Sequence, residues 1–198
     1  MFHKRQANVS ASARAIYAVP GDFCRIFTED QTALYLLSLA LTADSEKAER
    51  CFVTGLEDSI HGNPVFKDWA RSWSKRMIIK SAIRLISPAP GQEPEQKKKE
   101  DTLRAPDQRL LTADSSGLLT AVLELAPFER FVFVMTTLEG HSIQECSILL
   151  SCTSQDVEDA RTQALGLLAL AASSRPERIG AGGYGVRSAF FLEPIRAS

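Results

Sequence analysis

The sequence predicts an all-α fold, with two small helical domains joined by a polar linker and the second built as a helix-turn-helix. Three observations predict it. Apolar residues recur every three or four positions in both halves of the chain, the spacing of one helix face. No convincing stretch alternates apolar with polar residues as a half-buried strand would. The segment Ser87–Gln108 carries four prolines, one glycine and many charges, and is too poor in apolar side chains to bury a core. These mark out a flexible tail (1–21), a first domain (22–86), a linker (87–109), a second domain (110–172) and a Gly-rich tail (173–198).

The elements follow in order. The N-terminus has basic residues but no apolar core segment, so it reads as a tail and not as a secretory signal. Leu34, Leu37 and Leu41 mark the first helix, and Thr42–Ser45 breaks it. Asp44 or Ser45 caps a second helix with acidic residues in its first turn, as the helix dipole favours. His61–Pro64 is a turn. From Val65 to Ser87 there is neither Gly nor Pro, which predicts a helix of about 20 residues, with Trp69 and Trp73 in the core.

In the second half, Leu118, Leu119, Val122, Leu123 and Leu125 form one run. Pro127 opens the next helix, where its missing N–H costs nothing. That helix buries Phe128, Phe131, Val132, Met135 and Leu138 and ends at Gly140. Ser142 and Glu145 have capping-box spacing, starting a short helix to Leu150. After the turn Ser151–Thr153, Thr153 caps a last helix with Val157, Ala160, Ala164, Leu165 and Leu168 inward. Two helices joined by about three residues, behind a support helix, form a helix-turn-helix pattern.

Composition narrows the function classes. The chain has 198 residues, 44% of them hydrophobic, and a net charge of −1. That excludes a wholly disordered chain and a uniformly basic coat protein. The longest unbroken apolar run, Leu167–Ala172, is far below the ~18 residues of a transmembrane helix. Cys24, Cys51, Cys146 and Cys152 are scattered, with no CxxC, and the three histidines stand apart. Neither a disulfide framework nor a metal site is expected, and reduced thiols suggest the cytoplasm. Cys146 and Cys152 read as small core residues and His141 as a surface turn residue. Glu57 and Asp58 are adjacent, so they face different ways and make a poor catalytic pair. Gly180, Gly182, Gly183 and Gly185 do not follow a strand, as a phosphate-cradling loop would. No nucleophile, base and orienter assemble, so no enzyme, cofactor or small-molecule substrate is expected.

The small net charge hides a segregation. Residues 22–65 carry −5, residues 66–86 carry +5 and residues 110–172 carry −6. The basic block holds Lys67, Arg71, Lys75, Arg76, Lys80 and Arg84, with Trp69 and Trp73 between them. Cations interleaved with aromatics can hold phosphates and stack on unpaired bases. A +5 block in an acidic chain points to a nucleic-acid partner.

At this point the residues resemble a family. LYLLSLALTADSEKAERCF and VFKDWARSWSKRMIIKSAIRLI resemble the second conserved region of the bacterial sigma-70 family, in its extracytoplasmic-function group. The first has a Thr-x-Asp break before an Ala-Glu helix, the second a Phe-x-x-Trp start. LLTAVLELAPFERFVFVMTTLEGHSIQECSILL resembles the fourth region, through Pro127, Arg130, Phe133, Leu138-Glu139-Gly140 and Glu145. Together these stretches cover about 130 residues. The resemblance implies a transcription initiation protein in which Glu46, Glu49, Val53 and Glu57 meet core RNA polymerase. The basic block would meet promoter DNA, and so would Ser154, Gln155, Glu158, Arg161 and Thr162 of the last helix. It also admits an anti-sigma protein as a partner.

The chain departs from the family pattern in places. Val53-Thr54 stand where Gln-Glu is usual and Arg76 where Asn is usual. The last helix offers Gln155, Asp156, Glu158, Asp159 and Gln163 where Lys and Arg are usual. A second reading therefore stands beside the first: a sigma-like helical protein that has lost promoter reading and acts by binding other proteins. In one form of it, the acidic second domain folds back on the basic helix.

Overall fold

A computed structural model describes residues 16–92 and 113–173. The expectations for the two tails, and for the linker beyond Gln92, lie outside them. Among the described residues the fold is all-α, with eight α-helices and a single two-residue bridge between Tyr17 and Phe66.

The first half has four helices. Helix α1, Pro20–Glu29, begins with Pro20 in its first turn, and the Asp22 carboxylate accepts from the Val19 N–H at 3.0 Å. It buries Phe23, Ile26 and Phe27. Helix α2, Gln31–Thr42, is almost wholly apolar and lies at the centre of the molecule. Its buried Ser38 and Thr42 hydroxyls donate to carbonyls one turn back, at 3.0 and 2.9 Å, so they are satisfied in a dry setting. Ala43, at φ 52°, ends it in the left-handed region.

Helix α3, Ser45–His61, is capped by Asp44, which accepts from the Lys47 N–H at 3.0 Å. Its buried stripe is Ala48, Cys51, Gly55 and Ser59. These small residues let α4 approach closely. A Cβ on Gly55 would stand 2.7 Å from Ile78 Cγ1.

Helix α4 spans Ala70–Ile86, shorter than the sequence predicts. The Val65 carbonyl accepts from the Ala18 N–H at 2.7 Å, and Phe66, bridged to Tyr17, is extended. A 3-10 turn, Lys67–Trp69, then leads into the helix. The bridge to the segment before α1 thus takes five residues from the expected helix.

The second half also has four. Helix α5 is Ala113–Glu124 and α6 is Pro127–Phe133, with Pro127 at its first position. Helix α6 runs on as a π turn, Val134–Leu138, closed by the Glu139 N–H donating to the Val134 carbonyl at 3.0 Å. Two inward expectations fail. A π turn holds more residues per turn than an α-helix, so Leu138 rotates off the buried face and is 53% exposed. Leu165 directly follows the inward Ala164 and is turned about 100° from it, leaving it 43% exposed.

Gly140, at φ +71°, ends this helix. Helix α7, Ile143–Leu150, has the expected capping box, with Ser142 and Glu145 exchanging bonds at 2.9 and 3.2 Å. After Ser151–Thr153, helix α8 runs Ser154–Ser173. Thr153 and Asp156 form a second reciprocal cap, at 2.9 and 3.1 Å.

One apolar cluster spans both halves. It includes Leu34, Leu37 and Leu41 of α2, Ile78 and Ile79 of α4, and Val122, Phe131, Met135 and Val157 from the second half. Helix α2 touches α5, α6 and the π turn as well as α3 and α4. Arg130, only 5% exposed, crosses this seam. Its Nε donates to the Leu41 carbonyl at 3.2 Å and an Nη to the Leu125 carbonyl at 2.8 Å. It thus places one cation at the C-terminal ends of two helices, where the helix dipoles favour it.

Candidate nucleic-acid and partner interfaces

The six predicted cations of the basic block lie on or just before α4, and acidic side chains meet most of them. Lys67 Nζ is 3.7 Å from Asp22 of α1. Arg71 bonds Glu29 at 2.6 Å and also Asp30. Lys75 Nζ reaches Glu139, beyond the π turn, at 2.9 Å. Arg84 pairs with Asp58 of α3. For Lys80 and Arg76 no ion pair is present among the described residues. Arg76 nevertheless lies near Glu145, whose carboxyl is held below its ordinary range. The Ser142 N–H does most of this, followed by the Ser142 hydroxyl, His141 and Arg76. Exposed pairs of this kind are screened by solvent and weak, so a phosphate can replace the acid at small cost.

The aromatic neighbours do not sit as the sequence predicts. Trp69 is 64% exposed and outside the core, because the 3-10 turn swings it off the inward face of α4. It completes an aromatic ledge. Tyr17 stacks on Phe66 with ring centroids 4.9 Å apart, and Trp69 meets Phe66 edge-on at 5.3 Å. A cavity of about 370 Å³ opens here, lined by Ile16, Phe66, Lys67, Asp68 and Trp69. The sequence signal for the ledge was Phe66-x-x-Trp69; its partner Tyr17 comes from the stretch expected to be a tail.

Trp73 is half-buried, and among the described residues its indole Nε1 has no hydrogen-bond partner. It lines a second cavity of about 320 Å³ between the end of α3 and α4. His61, Met77, Lys80 and Arg84 share that cavity.

The residues expected to meet the polymerase come together. Glu46, Glu49, Val53 and Glu57 are all exposed and recur along the outward side of α3, opposite the buried stripe. Val53, 53% exposed, is an apolar centre with carboxylates on both sides.

On α8, Ser154, Gln155, Glu158, Arg161 and Thr162 are exposed. The face is acidic. Glu158 and Asp159 point outward, and Gln155 donates to Asp159 at 2.9 Å. Asp156 is drawn into the cap, where the Thr153 hydroxyl, then the Thr153 N–H, hold its carboxyl below the usual range.

Cys51 and Cys146 are buried, and burial pushes both thiols up to about 11. Cys152 is half-buried. Glu57 is exposed, while Asp58 turns to Ser81 and Arg84. Among the described residues no group of His, Cys, Asp and Glu is placed to hold a metal, and no helix is long and apolar enough to cross a membrane. The chain matches no protein-family model, no curated protein and no solved structure.

Proposed function

We propose that this chain is a sigma-like transcription initiation protein that binds core RNA polymerase and promoter DNA. The outward stripe of α3, centred on Val53, takes the polymerase. The basic face of α4 and the aromatic ledge before it take promoter DNA in single-stranded form. One observation carries the DNA half of this reading: Trp69 stands exposed on the Tyr17–Phe66 ledge beside Lys67. Bases stack on such a platform, worth about 1–3 kcal/mol per base, while nearby cations follow the backbone.

A second reading keeps the sigma-like body but gives it a protein partner in place of promoter DNA. The acidic outer face of α8 favours it, because Glu158 and Asp159 repel phosphates and only Arg161 attracts them.

Fluorescence anisotropy with single-stranded and duplex DNA over a salt series separates the two. The first reading expects single-strand binding that weakens steeply with salt. It also expects Glu158→Lys with Asp159→Arg to strengthen duplex binding. Absence of binding to either DNA at low salt, together with no response to the α8 double variant, contradicts the first reading and leaves the adaptor.

A further inference from the structure

We infer that the C-terminal part of α8 is a docking surface for the apolar stretch 189–195 of the same chain. The inference stands apart from the nucleic-acid reading of α4. Residues 165–172 of α8 read LGLLALAA, with no polar side chain among them. A helix that is apolar all round is ordinarily covered on every side. Here Leu168 alone of the eight is buried, in the core cluster. The inward row of α8 is Val157, Ala160, Ala164 and Leu168. At about 100° per residue, Leu165 lies on one flank of that row and Leu167 on the other, and both are exposed. Eight residues fall far short of the ~20 that a membrane-crossing helix needs, so a bilayer core is not what covers them.

Composition, reach and charge choose the occupant. Phe190, Phe191, Leu192 and Ile195 stand within seven residues. The linker 93–112 offers only Leu103, Leu110 and Leu111, among ten charged residues. The tether 174–188 numbers fifteen residues and spans at most about 50 Å. The stretch of α8 to be covered is only about 12 Å long, so the tether can turn back over it. Residues 174–198 carry four arginines and two glutamates, and the outer face of α8 shows Glu158 and Asp159. Attraction between the two favours the same return. Joined to α8 through a short tether, the stretch is held at about millimolar effective concentration, so a modest apolar contact is enough to keep it docked.

The test is hydrogen exchange read by mass spectrometry on the full chain, with sedimentation velocity over a dilution series beside it. Phe190→Ser with Phe191→Ser is compared with Ile179→Ser with Val186→Ser, the same kind of change elsewhere in the tail. In the wild type the amides of 165–172 are expected to be protected and the chain to sediment as a monomer. The Phe190/Phe191 variant is expected to speed their exchange about ten- to hundredfold, the scale of losing one buried phenylalanine side chain. The Ile179/Val186 variant is expected to leave it unchanged.

Unprotected amides at 165–172 in the wild type overturn the docking. So does exchange that the Phe190/Phe191 variant does not speed. Equal acceleration in both variants overturns the choice of 189–195. Protection that fades on dilution, together with sedimentation as a dimer, gives the surface to a second copy of the chain and overturns the return of the tail.

Discussion

The two helices that the sequence offers to DNA, α4 and α8, end up with opposite surfaces. Helix α4 carries the cations, and its neighbours answer them with carboxylates. Helix α8 carries exposed Glu158 and Asp159 and has Arg161 as its one exposed cation within the described span. The difference teaches that a charge block in a sequence is not a field in space. The +5 of residues 66–86 is spread against acids from α1, α3 and the end of the π turn. The −6 of the second half is only partly spent on capping and on the seam. What distinguishes α4 is its aromatic ledge, because stacking needs no net charge.

The sharpest way to break this comparison is Trp69→Ala. It is expected to cost about 1–3 kcal/mol of single-strand binding and to leave the melting temperature almost unchanged, since Trp69 buries little. Arg161→Ala on α8 is expected to change that binding by less than the ledge variant does. Equal losses would put the two helices on the same footing.

Stability separates them next. Helix α8 and its partner α7 rest on two side-chain caps, whereas the first residue before α4 is Trp69, which makes no side-chain cap. Ser142→Ala is expected to lower stability by about 1 kcal/mol, read by thermal melting.

Freeing Arg71 is a smaller step. Glu29→Gln with Asp30→Asn is expected to strengthen single-strand binding about two- to fivefold and to steepen its salt dependence by about one phosphate contact. The same measurement on a variant of Asp159, which makes no ion pair among the described residues, is expected to show no gain on single strands.

Acid gives the mildest effect, confined to the capped half and α1. Glu145 and Asp156 have lowered pKa values when folded, from ordinary values of 4.5 and 3.8. Their contribution is complete above those ordinary values and is lost as pH falls through the folded ones. The melting temperature is therefore expected to be level above pH 4.5, as far as these groups decide it, and to fall below it. Ser142→Ala flattens that fall.

Much of the fold was legible. The capping residues Asp44, Ser142 and Thr153, the Pro127 start and the Gly140 stop are local devices, and local chemistry decides them. The start of α4 was not legible, because Tyr17 and Ala18, far away in sequence, bridge the extended Phe66 and bond the Val65 carbonyl. Helix α1 was not placed either, although Phe23, Ile26 and Phe27 carry helical spacing. Leu138 fell outside its expected place because nothing in a regular period announces a π turn.

The site was legible by residue type and not by state. The stripe Glu46–Val53–Glu57 and the row on α8 came from the family resemblance, and helical period then puts each of them on an exposed face. The ion pairs of α4 and the exposure of Trp69 depend on tertiary neighbours, as does the seam that Arg130 closes between the halves.

The most direct test of the sigma-like reading is co-elution of the purified chain with bacterial core RNA polymerase at about 0.15 M salt, near physiological ionic strength, with Val53→Lys run beside it. The account predicts that wild type travels with the polymerase and that Val53→Lys, folded and helical, does not. A folded wild-type chain that elutes apart from the polymerase would contradict it.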